Sequence, residues 1–414
     1  MSLTALFVDF DAYFASAEQH MKPYLRGKPV GVAPVMAESS CCIAASYEAK
    51  AFGIKTGTRI SDARVMCPGI EIVEAQPAKY VELHHQLVAA VESCIHVEDV
   101  LSIDEMWCWL PYNLREPETV EKIGRNIKKA ITEQVGPWIR GSVGAAPNKW
   151  LAKMASKMRK PDGLLLIGHE DLPEILYELD LRDIHGVGRN MELRLHAHGI
   201  HDVRALCSAT RQQLHTAWGG ITGDQLWFQL RGKEIPEPES IRRSIGHSHV
   251  LAPEKRHPDA ALSVLHKLTQ KAAQRLRSHG MLTRSYYLSI SYLRGGKWGD
   301  EILLEATDDS LILARMASHL WKQRPHHAEQ LLKVSMVLGR LTHVGNYTPP
   351  LFPEGKEPLE KPDKNIKNLN ASMDKLVQKF GRQSIYLGGA HGAIEAAPMR
   401  ISFGHVPDLD VEQD

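Results

Sequence analysis

Leu6-Phe7-Val8-Asp9-Phe10-Asp11-Ala12-Tyr13-Phe14-Ala15-Ser16-Ala17-Glu18 carries the decisive signal of this chain: an apolar run that breaks at an acid and passes at once into helical spacing. Leu3 to Phe10 is short and almost wholly apolar, as a strand buried on both faces would be, and Ala12 to Leu25 has helical spacing. Asp9 thus stands at the end of a buried strand. Asp11, directly before the helix, reads as its N-cap, with metal binding the alternative. Val97 to Leu110 reads as two strand-like pieces that meet at Asp104-Glu105, flanked by Ile103 and Met106-Trp107. Carboxylates set in apolar strands are costly to bury without partners, and a bound cation compensates them. Hard cations such as Mg²⁺ take carboxylate oxygens, and two of them about 3.5 to 4 Å apart can stabilise both the attacking and the leaving oxygen of an in-line displacement at phosphorus. Spacing alone does not decide the matter. Glu98-Asp99, Glu170-Asp171, Asp300-Glu301 and Asp308-Asp309 are also acidic pairs, and Asp408-Leu409-Asp410 repeats the D-x-D spacing.

Between these acids, Gly27 to Gly69 is broken by Gly and Pro and contains a short helix, Tyr47 to Phe52, ended by Gly53; it reads as a small subdomain. Gly141 to Ala146 is a small-residue strand, and Pro147-Asn148 opens a helix to Met158. Leu172 to Trp218 reads as helical, with breaks at His185-Gly186-Val187-Gly188 and Gly199-Ile200. Gly232 to Glu239 is a linker. Beyond it a strand (Ser244 to Leu251), a helix (Asp259 to His279), two strands joined by a Gly-Gly turn (Ser285 to Leu293, Glu301 to Ala306), a helix (Leu311 to Gln323) and a strand (Leu331 to Leu338) give the order βαββαβ. A Pro- and Lys-rich tether follows Gly345, then a short amphipathic piece near Met373 to Phe380.

A chain of 414 residues implies two to four compact units. No run reaches the roughly 18 to 20 apolar residues of a membrane span, and the first residues do not read as a signal peptide, so a cytoplasmic protein without a membrane partner is expected. Six cysteines without C-x-x-C spacing support neither a zinc ribbon nor a disulfide framework. The net charge is only +1, but the basic residues cluster: Arg140 to Lys160 contains no acid, and Lys255 to Arg284 contains Asp259 alone. Two such clusters favour a polyanion over a merely solvated face. G-x-x-x-x-G-K-[ST] is missing, which excludes a P-loop.

Asp9-Phe10-Asp11-Ala12-Tyr13-Phe14-Ala15-Ser16-Ala17-Glu18 and, some ninety residues on, Ser102-Ile103-Asp104-Glu105 resemble the two metal-binding motifs of Y-family translesion DNA polymerases of the bacterial polymerase IV/V kind. Ser46-Tyr47-Glu48-Ala49-Lys50-Ala51-Phe52-Gly53 resembles the family's fingers motif, Gly144-Ala145-Ala146-Pro147-Asn148-Lys149 its palm helix entry, and Ser244-Ile245-Gly246 the start of its little finger. The resemblance covers roughly residues 1 to 343. It implies an α/β and α+β multidomain right hand: an α/β palm (1–20 and 76–166), small fingers (21–75), a helical thumb with a helix-hairpin-helix (167–232), a linker (233–243), a βαββαβ little finger (244–343) and a C-terminal tail (344–414).

It further implies a low-fidelity, DNA-directed DNA polymerase that acts in damage tolerance on primer-template DNA and dNTPs, with two Mg²⁺ ions for which Mn²⁺ can substitute. Asp9, Asp104 and Glu105 would be catalytic metal ligands, with the Phe10 carbonyl as a backbone ligand. Tyr13, Phe14, Tyr47, Lys50 and Lys160 would form the nucleotide site, Phe14 as a steric gate against a 2′-hydroxyl. Without the resemblance, Phe14 reads as core. Lys50 stands where the family usually has Arg, which keeps the charge and loses the bidentate fork.

DNA contacts are expected at three places. Gly186 and Gly188 let backbone N–H groups approach a phosphate, a plain helix–helix turn being the alternative. Lys267, Lys271 and Arg275 form a stripe opposite the leucines of their helix, and Lys149, Lys153 and Lys157 form another; solvated helix faces would look the same. Leu351 and Phe352, after the last domain, resemble a peptide that docks into the replication sliding clamp, but without its usual glutamine; packing back on the body is the other reading. Met373 to Leu387 resembles the C-terminal region of polymerase V-type catalytic subunits. The rival functions are a catalytically silent, clamp-bound adaptor of the same family and a nucleotide cyclase with a similar palm.

Overall fold

A computed structural model describes residues 3–38, 40–236, 241–325, 330–348, 364–381, 384–394, 396 and 406. Leu351 and Phe352 lie outside them. The described residues fall into two compact units, 3–236 with 406 in the first and 241–396 in the second.

In the first unit the elements run β1 (Ala5–Phe10), α1 (Tyr13–Met21), β2 (Val30–Ala33), β3 (Ala44–Ala45), α2 (Tyr47–Lys50), α3 (Ile60–Met66), β4 (Glu71–Glu74) and α4 (Pro77–Glu92). Then come β5 (Asp99–Val100), β6 (Glu105–Trp109), α5 (Pro117–Ala130), β7 (Gly141–Ala146), α6 (Lys149–Met158) and β8 (Leu164–Leu166). Four helices close the unit: α7 (Arg189–Ala197), α8 (Val203–Ser208), α9 (Arg211–Trp218) and α10 (Ile221–Gln229). Leu172 to Asp183, expected to be α-helical, is instead built of short 3₁₀ turns.

The main sheet has the order β5-β6-β1-β7-β8, and β1 at its centre is buried along its whole length. This is why its sequence is apolar without alternation. The small sheet β3-β2-β4 carries residues 30–74. Helix α6 lies directly on β7, because a Cβ at Gly144 would come within 2.3 Å of the Ala152 carbonyl and the Ser156 amide. Asn148 caps this helix through its side chain, which accepts from the Leu151 amide at 2.7 Å.

The second unit runs β9 (Ile245–Val250), α11 (Pro258–Ser278), β10 (Met281–Tyr292), β11 (Lys297–Thr307), α12 (Ser310–Gln323) and β12 (Leu331–Gly339), the expected βαββαβ order. Its sheet has the order β11-β10-β12-β9. Tyr286, Leu288 and Ile290 on β10 are buried against Leu265, Leu268, Ala272 and Leu276 of α11, so the period-2 and helical patterns meet in one core. Helix α13 (Lys364–Phe380) and a 3₁₀ segment, Gly388–Ala393, complete the unit.

Candidate active site

The register of the main sheet gathers the acids. β1 pairs antiparallel with β6 so that Asp9 faces Glu105, and with β7 so that Asp9 faces Ser142. The Phe10 amide donates to the Asp104 carbonyl at 2.8 Å, which fixes the turn before β6 against the end of β1. Asp9, Asp104 and Glu105 thus come together from positions far apart in sequence. Burial pushes the Asp9 carboxyl up to about 6, opposed by Lys160 and reinforced by the Asp104 and Glu105 charges. Asp104 is raised as well, chiefly by burial, although Ser102 Oγ donates to its Oδ1 at 2.7 Å. Glu105 moves the other way: burial opposes ionisation, but hydrogen bonds and charge from Lys153 and Lys157 hold it below the usual carboxylate range.

Three lysines serve these acids. Lys160 Nζ bonds Asp9 and lies 3.5 Å from Asp11, while Lys153 Nζ and Lys157 Nζ lie 2.9 and 3.4 Å from the two Glu105 oxygens. Among the described residues no three His, Cys, Asp or Glu side chains are drawn tightly enough together to hold a metal ion as they stand. The donor set nevertheless fits Mg²⁺: hard carboxylate oxygens at the end of β1 and the start of β6, two of them raised chiefly by burial, with neighbouring carboxylate charge adding to it.

Asp11 corrects one expectation. It does not cap α1; the cap position is Ala12, which has a left-handed backbone (φ 47°) and no side-chain cap. The Asp11 carboxylate accepts instead from Ser142 Oγ at 2.9 and 3.0 Å and from the Asp162 amide at 2.7 Å. The turn at Ala12 aims Asp11 back at β7, an unusual conformation for a residue with a Cβ and one that accumulates at functional sites.

Around the acids stand the expected nucleotide residues. Lys50 Nζ lies 4.2 Å from the Tyr47 ring centroid, and burial and the Lys160 charge lower its pKa against the pull of Asp11 and Asp9. Burial first, and then the Asp11 and Asp9 charges, hold the Tyr47 phenol protonated. Phe14 is 4% exposed and its ring lies 5.1 Å from that of Tyr80 and 5.6 Å from that of Tyr13. Tyr13 OH donates to the Tyr80 carbonyl at 2.5 Å.

His84 on α4 went unnoticed in the sequence, where a histidine among helical residues gives no signal. It is buried, its Nδ1 lies 2.8 Å from the Ile103 carbonyl, and burial lowers its pKa to about 4.

The expected nucleic-acid contacts divide. Gly186 has φ 94° and Gly188 caps α7, and at neither would an added Cβ meet an atom within 4 Å, while Val187 between them is buried. The hairpin backbone is therefore open to an approaching group. Lys149 Nζ lies 5.0 Å from the Trp107 ring centroid, and Lys153 is turned to Glu105. Of the expected α11 stripe, Lys267 and Arg275 are half-buried and Lys271 is buried. Lys271 is 8% exposed, and Lys267 Nζ donates to the Ile394 carbonyl at 2.6 Å. On the same helix Arg277 grips Asp374 of α13 through two bonds of 2.6 and 2.8 Å. The helix is amphipathic as expected, and Lys267 of the stripe and Arg277 beside it reach the C-terminal segment. The sheet face away from the helices carries Lys297, Ser291 and Lys333 in one row and Gly299, Ser289, Ser335 and Ser248 in the next.

Buried acids on paired strands, an open glycine hairpin and a separate βαββαβ unit are together the parts of a right-hand nucleic-acid polymerase. Residues 8–157 match the impB/mucB/samB family, residues 169–200 the IMS family HHH motif, and residues 242–350 the impB/mucB/samB family C-terminal domain. The chain belongs to this family, the Y-family translesion polymerases. DNA polymerase IV of Moorella thermoacetica is 34% identical over 69% of this chain and 72% of its own length, and DNA polymerase IV 1 of Bacillus subtilis is 30% identical over 69% of each. In fold it is similar to a Y-family DNA polymerase chimera of Dbh and Dpo4, with a TM-score of 0.69 at 23% identity over 82% of this chain and 99% of that one.

Proposed function

We propose that this chain is a DNA-directed DNA polymerase that transfers nucleotides from dNTPs to a primer 3′-hydroxyl, with Asp9, Asp104, Glu105 and the Phe10 carbonyl holding two Mg²⁺ ions. Mn²⁺ can take their place. The observation that carries this reading is the pairing of Asp9 with Glu105 across β1 and β6, with Asp104 held beside Phe10. Family membership and relatives named DNA polymerase IV support it. When bound, the two ions stabilise the attacking and leaving oxygens of phosphoryl transfer.

The chain's own groups position the reactants. Lys160, Lys50 and Tyr47 take the triphosphate, the first two by charge and the third by its protonated hydroxyl. Phe14, packed against Tyr80 and Tyr13, fills the volume that a ribose 2′-hydroxyl would need. The open amides at Gly186 and Gly188 receive a DNA phosphate. In the second unit the uncovered sheet face, with Lys297, Lys333 and its serines, is the DNA surface in place of the α11 stripe.

The palm (1–20 and 76–166), fingers (21–75), thumb (167–232) and little finger (244–343) divide this work. A small fingers unit suits an open site tolerant of damaged templates, hence a role in translesion synthesis. Primer extension by the purified full chain tests the reading: synthesis should require all four dNTPs opposite a mixed template and stop on chelation of divalent cations. A chain that binds primer-template without extending it under these conditions would be an adaptor.

A further inference from the structure

Lys153 and Lys157, four residues apart, share one face of α6 and reach opposite oxygens of a single carboxylate, Glu105. Lys153 is well shielded, its ammonium 5.5 Å from the Phe7 ring centroid, whereas Lys157 is 41% exposed. With Lys160 on Asp9 and Asp11, three ammonium groups stand against the carboxylates of Asp9, Asp11, Asp104 and Glu105. Little net negative charge remains to attract a divalent cation, and Glu105, as a cation ligand, would have to give up at least one of its present partners.

We propose that Lys153 and Lys157 are resident counter-ions of Glu105, and that cation binding there is coupled to the arrival of a phosphate group that takes up the displaced ammonium. The inference rests on the reading of Glu105 as a metal ligand. The chemistry is an exchange of ion pairs: ammonium–carboxylate and cation–water give way to cation–carboxylate and ammonium–phosphate, with no covalent step. Lys157 is the mobile member, since its exposure lets it swing to a ligand while Lys153 stays over Phe7. The device would keep the cation site poorly occupied until substrate supplies the missing negative charge.

Tb³⁺ binding to the full chain, read by luminescence excited through tryptophan, tests this without turnover, because Trp107 stands two residues from Glu105 on the same strand. Lys157→Gln should bind the ion about three- to tenfold tighter than wild type at low salt, an advantage that shrinks as salt screens the charge. Lys157→Arg should match wild type, which a packing role alone would not require. A dideoxy-terminated primer-template or a dNTP should narrow the gap between wild type and Lys157→Gln to within about twofold. Narrowing by DNA alone assigns the phosphate to the nucleic acid, and narrowing by dNTP alone assigns it to the triphosphate. If Lys157→Gln binds no tighter, or if neither ligand narrows the gap, the proposal is overturned. Asp104→Ala separates the two levels of inference: unchanged Tb³⁺ binding in that variant would overturn the metal-site reading itself.

Discussion

His84 Nδ1 meets the Ile103 carbonyl at 2.8 Å and so ties α4 to the turn that presents Asp104. With its pKa lowered to about 4 by burial, the ring is neutral at pH 7 and Nδ1–H is the donor. The depressed value makes neutral His84 a source of stability above its unfolded pKa of about 6.5, lost as pH falls toward 4. His84→Ala should destabilise the chain by roughly 2 kcal/mol at pH 7, from the cavity and the orphaned carbonyl, and should flatten the loss of stability between pH 6.5 and 4. Thermal melts across that range check both. An unchanged acid profile would show that another group controls it.

Asp9 gives the site a pH dependence of its own. Its carboxyl is raised to about 6, so below that pH a proton competes with a cation for the same oxygens. Cation affinity should rise about tenfold per unit up to about pH 6 and then level off. In the cation-free protein the sign for stability is the reverse of that for His84: a raised carboxyl favours folding at low pH, and that contribution is lost as pH rises through about 6. Free Mn²⁺ measured by EPR between pH 5 and 8 would show the bend; a flat profile would mean that Asp9 is already ionised at pH 5.

The fold and part of the site were legible in the sequence for identifiable reasons. Leu3 to Phe10 announced a buried strand because a strand covered on both faces has no polar alternation, and an acid near its end stands out; its central place in the sheet came from the structure. What could not be read was register: nothing in the spacing says that Asp9 faces Glu105 or that Asp11 finds Ser142. The α11 stripe shows the same limit. Leu265, Leu268 and Leu276 predicted the buried side correctly, but Ile394, whose carbonyl takes the Lys267 ammonium, lies more than a hundred residues away in a weakly patterned segment. Charge periodicity alone does not distinguish a phosphate from a backbone carbonyl.

The proposed DNA face is testable by comparing two sets of lysines. Lys297→Ala with Lys333→Ala should weaken DNA binding and reduce the slope of log K against log[salt], by roughly 0.7 to 0.9 for each phosphate no longer neutralised. Lys267→Ala with Lys271→Ala should instead lower the melting temperature by undoing the Lys267 contact with the C-terminal segment, with a smaller change in salt slope. The opposite ranking in salt titrations would restore the helix stripe as the DNA surface.

Phe14 is buried and packs against the rings of Tyr80 and Tyr13, which restricts its own ring. A rigid ring can reject an added hydroxyl by overlap where a softer apolar pocket could not. Phe14→Ala should cost about 3 kcal/mol of stability and raise the ratio of ribo- to deoxynucleotide insertion by at least about tenfold. Single-nucleotide kcat/KM values opposite one template base measure that ratio. A stable variant that still excludes ribonucleotides would assign Phe14 to the core alone.

Asp104 carries the central claim: Ser102 Oγ donates to its carboxylate and the Phe10 amide to its main-chain carbonyl, and the proposed role of that carboxylate is to hold a cation, not a phosphate. The direct measurement is primer extension by Asp104→Ala beside its affinity for primer-template in the same buffer. The account predicts extension reduced by at least about a thousandfold with DNA affinity within about twofold of wild type. Wild-type extension by this variant would contradict the two-cation site.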